Sequence, residues 1–120
     1  MDIKEIEDKY ENYKIYTNDE IIMYSKRLQE MGAENVLISL GKDGAILITK
    51  DNSILYSKAP KGVVVNSVGA GDSMVAGFIA GFLIHEDYEK AFKMGIAAGS
   101  ASTFSENLAT KDEILYQFYK

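Results

Sequence analysis

Apolar residues recur at spacings of three and four through Ile3, Ile6, Tyr10 and Tyr13, which predicts a charged amphipathic helix near the start of the chain. A second helix is predicted from Thr17, where Glu20 completes a capping box. It should bury Ile21, Met23 or Tyr24, Leu28 and Met31 and stop at Gly32, leaving Lys26, Arg27 and Glu30 in solvent. The pattern then changes. Asn35 to Leu40 is almost wholly apolar, as in a central strand covered on both faces. The turn Gly41-Lys42-Asp43-Gly44 leads to a strand at Ala45 to Thr49, and the turn Asp51-Asn52-Ser53 to another at Ile54 to Ser57. Val63, Val64 and Val65 read as a short buried strand.

A helix follows, from about Gly71 or Asp72 to Ile84. Val75, Phe78, Ile79, Phe82 and Leu83 form a greasy face, while Ser73, Ala76, Gly77, Ala80 and Gly81 form one of small residues. Glycine inside a helix costs about 1 kcal/mol relative to alanine, so two of them predict another element packed very close. The next helix, Asp87 to about Thr103, is the candidate, with Gly95, Ala98, Gly99 and Ser102. His85, the sole histidine, falls in the turn between these helices, where an exposed or capping role is expected. Phe104 to Thr110 is a loop. Thr110 and Glu113 form another capping box for a last helix that exposes Lys111 and Asp112 and buries Ile114, Leu115 and Phe118. Strands alternating with helices indicate an α/β domain.

The candidate chemistry lies between Val63 and Leu83. Gly69-Ala70-Gly71 makes a tight strand-to-helix turn whose backbone N–H groups lack intrahelical partners, and the helix dipole adds about half a positive charge there. Such a turn suits an anion, phosphate above all. Asp72 has two compatible readings: an N-cap that stabilises the helix by about 1 kcal/mol, or a carboxylate that takes a proton from a hydroxyl while the amides stabilise phosphoryl charge. The dinucleotide fingerprint fails because Met74 stands where a third glycine or alanine is needed, and the Walker pattern fails because Asp72 follows Gly71.

Length and composition narrow the classes. With 120 residues, a net charge of −5 and 47% hydrophobic residues, one domain is expected. The absence of cysteine excludes disulfides and thiolate metal sites. No apolar run is long enough for a membrane span, and MDIKEIEDKY has no signal-peptide pattern, so a cytoplasmic protein is expected. The acidic balance argues against nucleic acid but not against ATP, whose phosphates amides and Mg²⁺ can hold.

The run NSVGAGDSMVAG, Asn66 to Gly77, resembles the second signature of the ribokinase-like (PfkB) carbohydrate kinases, built on Gly-Ala-Gly-Asp. Its flanks look most like the branch of 1-phosphofructokinase and tagatose-6-phosphate kinase. The resemblance runs from about Asp19 to Lys120 and implies the C-terminal portion of a ribokinase-like three-layer α/β/α sheet domain. Residues 1–120 would then be one nucleotide-binding and catalytic unit, without the N-terminal sugar-binding and lid portion.

By that resemblance, Asp72 is the catalytic base and Gly69, Ala70 and Gly71 form the anion hole. Ser39, Gly41, Asp43 and Gly44 belong to the loop along the ATP phosphates, and Gly71, Ala98 and Ser102 complete the nucleotide contacts. The implied reaction is MgATP-dependent phosphorylation of a phosphorylated ketohexose, fructose 1-phosphate to fructose 1,6-bisphosphate, with tagatose 6-phosphate as the alternative acceptor. Four positions depart from or only partly match the family pattern. Asn66 stands where ribokinase has a cation-holding aspartate, and Gly95 stands where ribokinases place an asparagine near adenine. Asn107 takes a glycine place, for which positive φ is expected, and in Asp2-Ile3-Lys4-Glu5 only Glu5 matches the Asn-x-x-Glu motif linked to Mg²⁺. No metal ligand is assigned. Two further readings are a non-catalytic nucleotide-binding or assembly fragment, including a homodimer, and a plain structural domain with the motif as capping chemistry.

Overall fold

The computed structural model describes residues 17–120, so the first expected helix and the Asp2–Glu5 motif lie outside the described residues. Helix α1 spans Asn18–Glu30 and starts on the expected capping box: Thr17 Oγ1 accepts from the Glu20 amide at 3.2 Å, and the Glu20 carboxylate accepts from the Thr17 amide at 3.4 Å. Gly32, at φ 119°, ends it in the left-handed region that favours glycine. The expected burial does not follow. Met23, Leu28 and Met31 are exposed and only Ser25 is buried, because no described element covers that side of the helix.

Strands β1 (Val36–Ser39), β2 (Ala45–Ile48) and β3 (Ile54–Ser57) form an antiparallel sheet in the order β1-β2-β3. Leu37, Leu47 and Leu55 stand opposite one another in one row. Among the described strands the central one is therefore β2, with all four residues buried, whereas β1, expected at the centre, is an edge with only Val36 buried. Val63 to Val65 corrects the sequence reading more sharply. These residues form no strand and are 80, 65 and 52% exposed, since no ladder partner is available among the described residues. Their segment is tied down at one point, where the amides of Val65 and Asn66 donate to the Thr103 carbonyl at 2.9 and 3.1 Å.

Helix α2 (Ala70–His85) and helix α3 (Tyr88–Thr103) form a hairpin, the second capped by Asp87, whose Oδ1 accepts from the Lys90 amide at 2.9 Å. The small residues do bring the helices together. A Cβ on Gly77 would lie 2.7 Å from the Ala98 Cβ and 2.8 Å from the Met94 carbonyl oxygen; on Gly95 it would lie 2.9 Å from the Met74 carbonyl oxygen. One sheet face packs on this hairpin, with Ala45 and Leu47 against Met74 and Phe92, and Phe78 and Ile96 at the margin. Helix α1 touches β1 and β2 without joining that cluster, so the sheet lies between two helical layers.

Helix α4 (Lys111–Tyr119) closes the domain, Phe118 packing with Met94 and Ala97. His85 is the last residue of α2 rather than part of a turn, and its ring stacks on Phe118 at 6.0 Å. Asn107 is not at positive φ; Asn52 and Glu86 are the non-glycine residues that are, among those described. The α4 capping box holds Glu113 between Ser105 and Thr110. The Ser105 hydroxyl, and then the backbone and hydroxyl of Thr110, hold its carboxyl below the usual carboxylate value. A depressed folded pKa contributes stability above the unfolded value that is lost as pH falls through the folded one. Glu113→Gln should therefore lower the melting temperature at pH 7, and the difference from the unaltered chain should shrink as pH falls through the carboxylate range, as thermal unfolding at a series of pH values would show.

Candidate functional site

The turn after β1 reverses the chain in three residues of 3₁₀ helix, Gly41–Asp43. Gly41 has φ 58° and Gly44 φ 98°, and a Cβ on Gly44 would fall 1.9 Å from the Ser57 carbonyl oxygen. Only glycine fits there. The turn is closed by the Leu40 amide donating to the Gly44 carbonyl at 2.7 Å, and the Tyr56 hydroxyl donates to the Asp43 carbonyl at 2.9 Å.

The second component is the start of α2. Asn66 shapes the approach, its Oδ1 accepting from the Val68 amide at 3.0 Å and its Nδ2 donating to the Glu106 carbonyl at 3.2 Å. Gly69, at φ 81°, is the N-cap and offers no side chain, so Asp72 is not the N-cap but the third helical residue. Its carboxylate is exposed and has no hydrogen-bond partner among the described residues. The Ala70 amide donates to the Ser67 carbonyl at 3.2 Å, while those of Gly69, Gly71 and Asp72 have no acceptor among the described residues. Two of these free amides, Gly71 and Asp72, belong to the first helical turn, where the dipole favours negative charge.

Both components open onto one cleft of 590 Å³, within the range usual for small-molecule sites. Ser39, Gly41 and Gly44 line one side; Ser67, Ala70, Gly71 and Met74 line another. A Cβ on Gly71 would meet nothing within 4 Å, so its backbone is open to an incoming ligand. Asp43, Gly69, Asp72, Ala98 and Ser102 do not line the cleft. Ala98 is buried against Gly77, and the Ser102 hydroxyl is occupied, donating to Ser73 Oγ at 3.0 Å and accepting from the Ala109 amide at 3.2 Å. The face of α3 turned to the cleft instead carries Ile96, Gly99, Ser100 and Thr103.

Sequence reasoning missed the third wall, Ala59 to Gly62, and Phe104 opposite it. A Cβ on Gly62 would fall 2.5 Å from the Phe104 ring, so the backbone lies directly on that ring. Lys61 is the one charged side chain lining the cleft among the described residues. The signal available was the chain's single proline, Pro60, followed by lysine and glycine just ahead of the valines. A cleft with an apolar end, one cation and the free helix-start amide of Gly71 suits an anionic ligand that carries an apolar ring.

The profile of the pfkB family carbohydrate kinases matches residues 5–114. A 1-phosphofructokinase of Bacillus subtilis is 48% identical over 94 residues, covering 78% of this chain and 31% of that protein. A D-tagatose-1-phosphate kinase of Bacillus licheniformis is 41% identical over 95 residues, 79% of this chain and 31% of that protein. The Arabidopsis thaliana ribokinase solved with ribose and ATP superposes with a TM-score of 0.77 at 21% identity, covering 87% of this chain and 34% of the other. The fold is thus ribokinase-like, and the chain spans about a third of the length of these relatives.

Proposed function

The chain belongs to the pfkB family of carbohydrate kinases, and from that premise we propose that it carries the nucleotide-binding and phosphoryl-transfer part of an ATP-dependent phosphosugar kinase. The observation that carries this reading is the convergence of the Gly41–Gly44 turn and the start of α2, with the free amide of Gly71, on a single cleft. ATP fits what lines it: Pro60, Ile96 and Phe104 offer an apolar wall for a base, and Lys61 and the Gly71 backbone offer positive potential for phosphates. Among the described residues no cluster of three or more carboxylate, histidine or cysteine side chains could hold a metal ion. In this proposal Mg²⁺ enters as part of the MgATP substrate.

In the proposed reaction, Asp72 takes the proton of the acceptor hydroxyl while that oxygen bonds to the γ-phosphorus and the bond to the β-phosphate oxygen breaks, releasing ADP. Phosphoryl transfer depends mainly on placement and charge stabilisation, which an exposed carboxylate one residue from the open Gly71 backbone can serve. We assign fructose 1-phosphate as the acceptor and fructose 1,6-bisphosphate as the product, following the Bacillus subtilis relative. The Bacillus licheniformis relative makes D-tagatose 1-phosphate the second acceptor to try, ahead of tagatose 6-phosphate. Most contacts to the sugar would come from the part of the relatives that this chain does not span, so the isolated chain should bind ATP without phosphorylating sugar.

Titration calorimetry with ATP, alongside a coupled kinase assay on the three phosphosugars, tests the reading. Saturable binding without turnover supports it; absence of binding reduces the motif to a structural turn. A sharper version uses Gly71→Ala. The new methyl meets no protein atom and improves helix propensity by up to about 1 kcal/mol, so thermal stability should hold or rise. The methyl would nonetheless stand in the cleft, and ATP affinity should fall about tenfold, equivalent to about 1.4 kcal/mol.

A further inference from the structure

Phe104 is the C-cap of α3, and its amide donates to the Ser100 carbonyl at 3.0 Å, so the last turn of that helix fixes the root of the side chain. The ring reaches across to the 59–62 segment, where a Cβ on Gly62 would fall 2.5 Å from Cζ at its tip. Held between a helix end and a stretch of backbone, the ring closes the apolar end of the cleft. A second hollow, of 330 Å³, lies between the end of α3 and α4. Phe104 is the one residue, among those described, that lines both. The second volume is at the low end of the range for small-molecule sites, enough to take an added aromatic ring. Ala101 and Tyr116 give it apolar surface.

We infer that Phe104 is a specificity-determining residue of the nucleotide site: its ring sets how far a base can reach, admitting adenine and rejecting purines enlarged on the six-membered ring. The inference rests on the nucleotide reading of the cleft. In ATP the ribose and triphosphate leave the purine from its five-membered ring. With the phosphates at Gly71, the opposite edge of the purine, which carries the N⁶ amino group, points to the closed end. A substituent on that nitrogen then meets the Phe104 ring. A ring braced at root and tip rejects it by a clash, which discriminates between ligands without adding any attraction to the right one. Removing the ring would join the two hollows and turn the clash into room.

Calorimetry of the isolated chain with ATP and with N⁶-benzyl-ATP tests this. The unaltered chain should bind ATP, and the benzyl analogue at least about tenfold more weakly. Phe104→Ala should weaken ATP binding several-fold, through the lost contact with the ring, yet bind the analogue better than the unaltered chain does, reversing the preference. Phe104→Leu should narrow the preference in the same direction, and it serves if the alanine variant does not fold. A ring that is merely structural would lower both affinities together and leave their ratio unchanged, which overturns the inference. So does an unaltered chain that binds both nucleotides equally well. Loss of the fold in both variants, seen by thermal unfolding, assigns the ring to the core and overturns it too. An unaltered chain that binds neither nucleotide overturns the nucleotide reading and this inference with it, so the two failures are told apart.

Discussion

Asp72→Asn, in a chimera where this chain replaces the matching third of the Bacillus subtilis relative, should lower kcat by about 10²- to 10⁴-fold while leaving ATP affinity nearly unchanged. The substitution keeps the size of the side chain and removes its capacity to accept a proton. It should not disturb the fold, because the carboxylate is exposed, makes no hydrogen bond among the described residues and does not cap α2, which Gly69 begins. Nor does it line the cleft, so nucleotide binding has little reason to change. Steady-state kinetics with calorimetry separate the possibilities. A fall in kcat with unaltered ATP affinity assigns Asp72 to proton transfer; an unchanged kcat removes it from the mechanism.

Gly77→Val should strongly destabilise the helical hairpin. A Cβ alone at that position approaches the Ala98 Cβ to 2.7 Å and the Met94 carbonyl oxygen to 2.8 Å, and neither the backbone of α3 nor a methyl fixed to it can swing aside. Valine adds two more carbons and a restricted χ1, so α2 and α3 must separate and loosen Met74 and Phe92 beneath the sheet. Overpacking of this kind costs about 1–3 kcal/mol and sometimes more. For a domain of this size that is a loss of roughly 4–20 °C in melting temperature. Gly71→Ala is the internal comparison, a glycine change in the same helix with no clash.

The features legible in the sequence were those decided within a few residues or within one hairpin. Both capping boxes formed as read, Thr17 with Glu20 and Thr110 with Glu113, because each is a contact between residues three apart. Strand β3 occupies Ile54–Ser57, and the small residues of α2 and α3 meet because their spacing places them on one side of each helix. What misled was burial. The apolar side of α1, the valines at 63–65 and the outer stripe of α2 all carry core patterning, yet all stand exposed. Patterning records that a surface is meant to be covered; it does not say which segment covers it, and none of the described elements does so. The strand Asn35 to Leu40 was placed at the sheet centre for the same reason. Its apolar run is real, but position within a sheet depends on how many neighbours exist, and among the described residues β1 has one.

At the site, the motif Gly69-Ala70-Gly71 was visible as an anion turn, but the amide inventory was not. Ala70 spends its amide on the Ser67 carbonyl while Asp72 leaves its own free, a distinction set by where the helix starts. The wall of Pro60, Lys61 and Phe104 was hidden because its parts lie on opposite sides of the helical hairpin in sequence.

Amide chemical shifts recorded while ATP is titrated into the isolated chain test most directly whether the turn after β1 and the start of α2 serve one ligand. The Gly41, Gly44, Gly71 and Asp72 signals should move together with a single dissociation constant, and Gly71→Ala should weaken all four alike. Shifts confined to one of the two segments, or two independent constants, would contradict a shared nucleotide cleft.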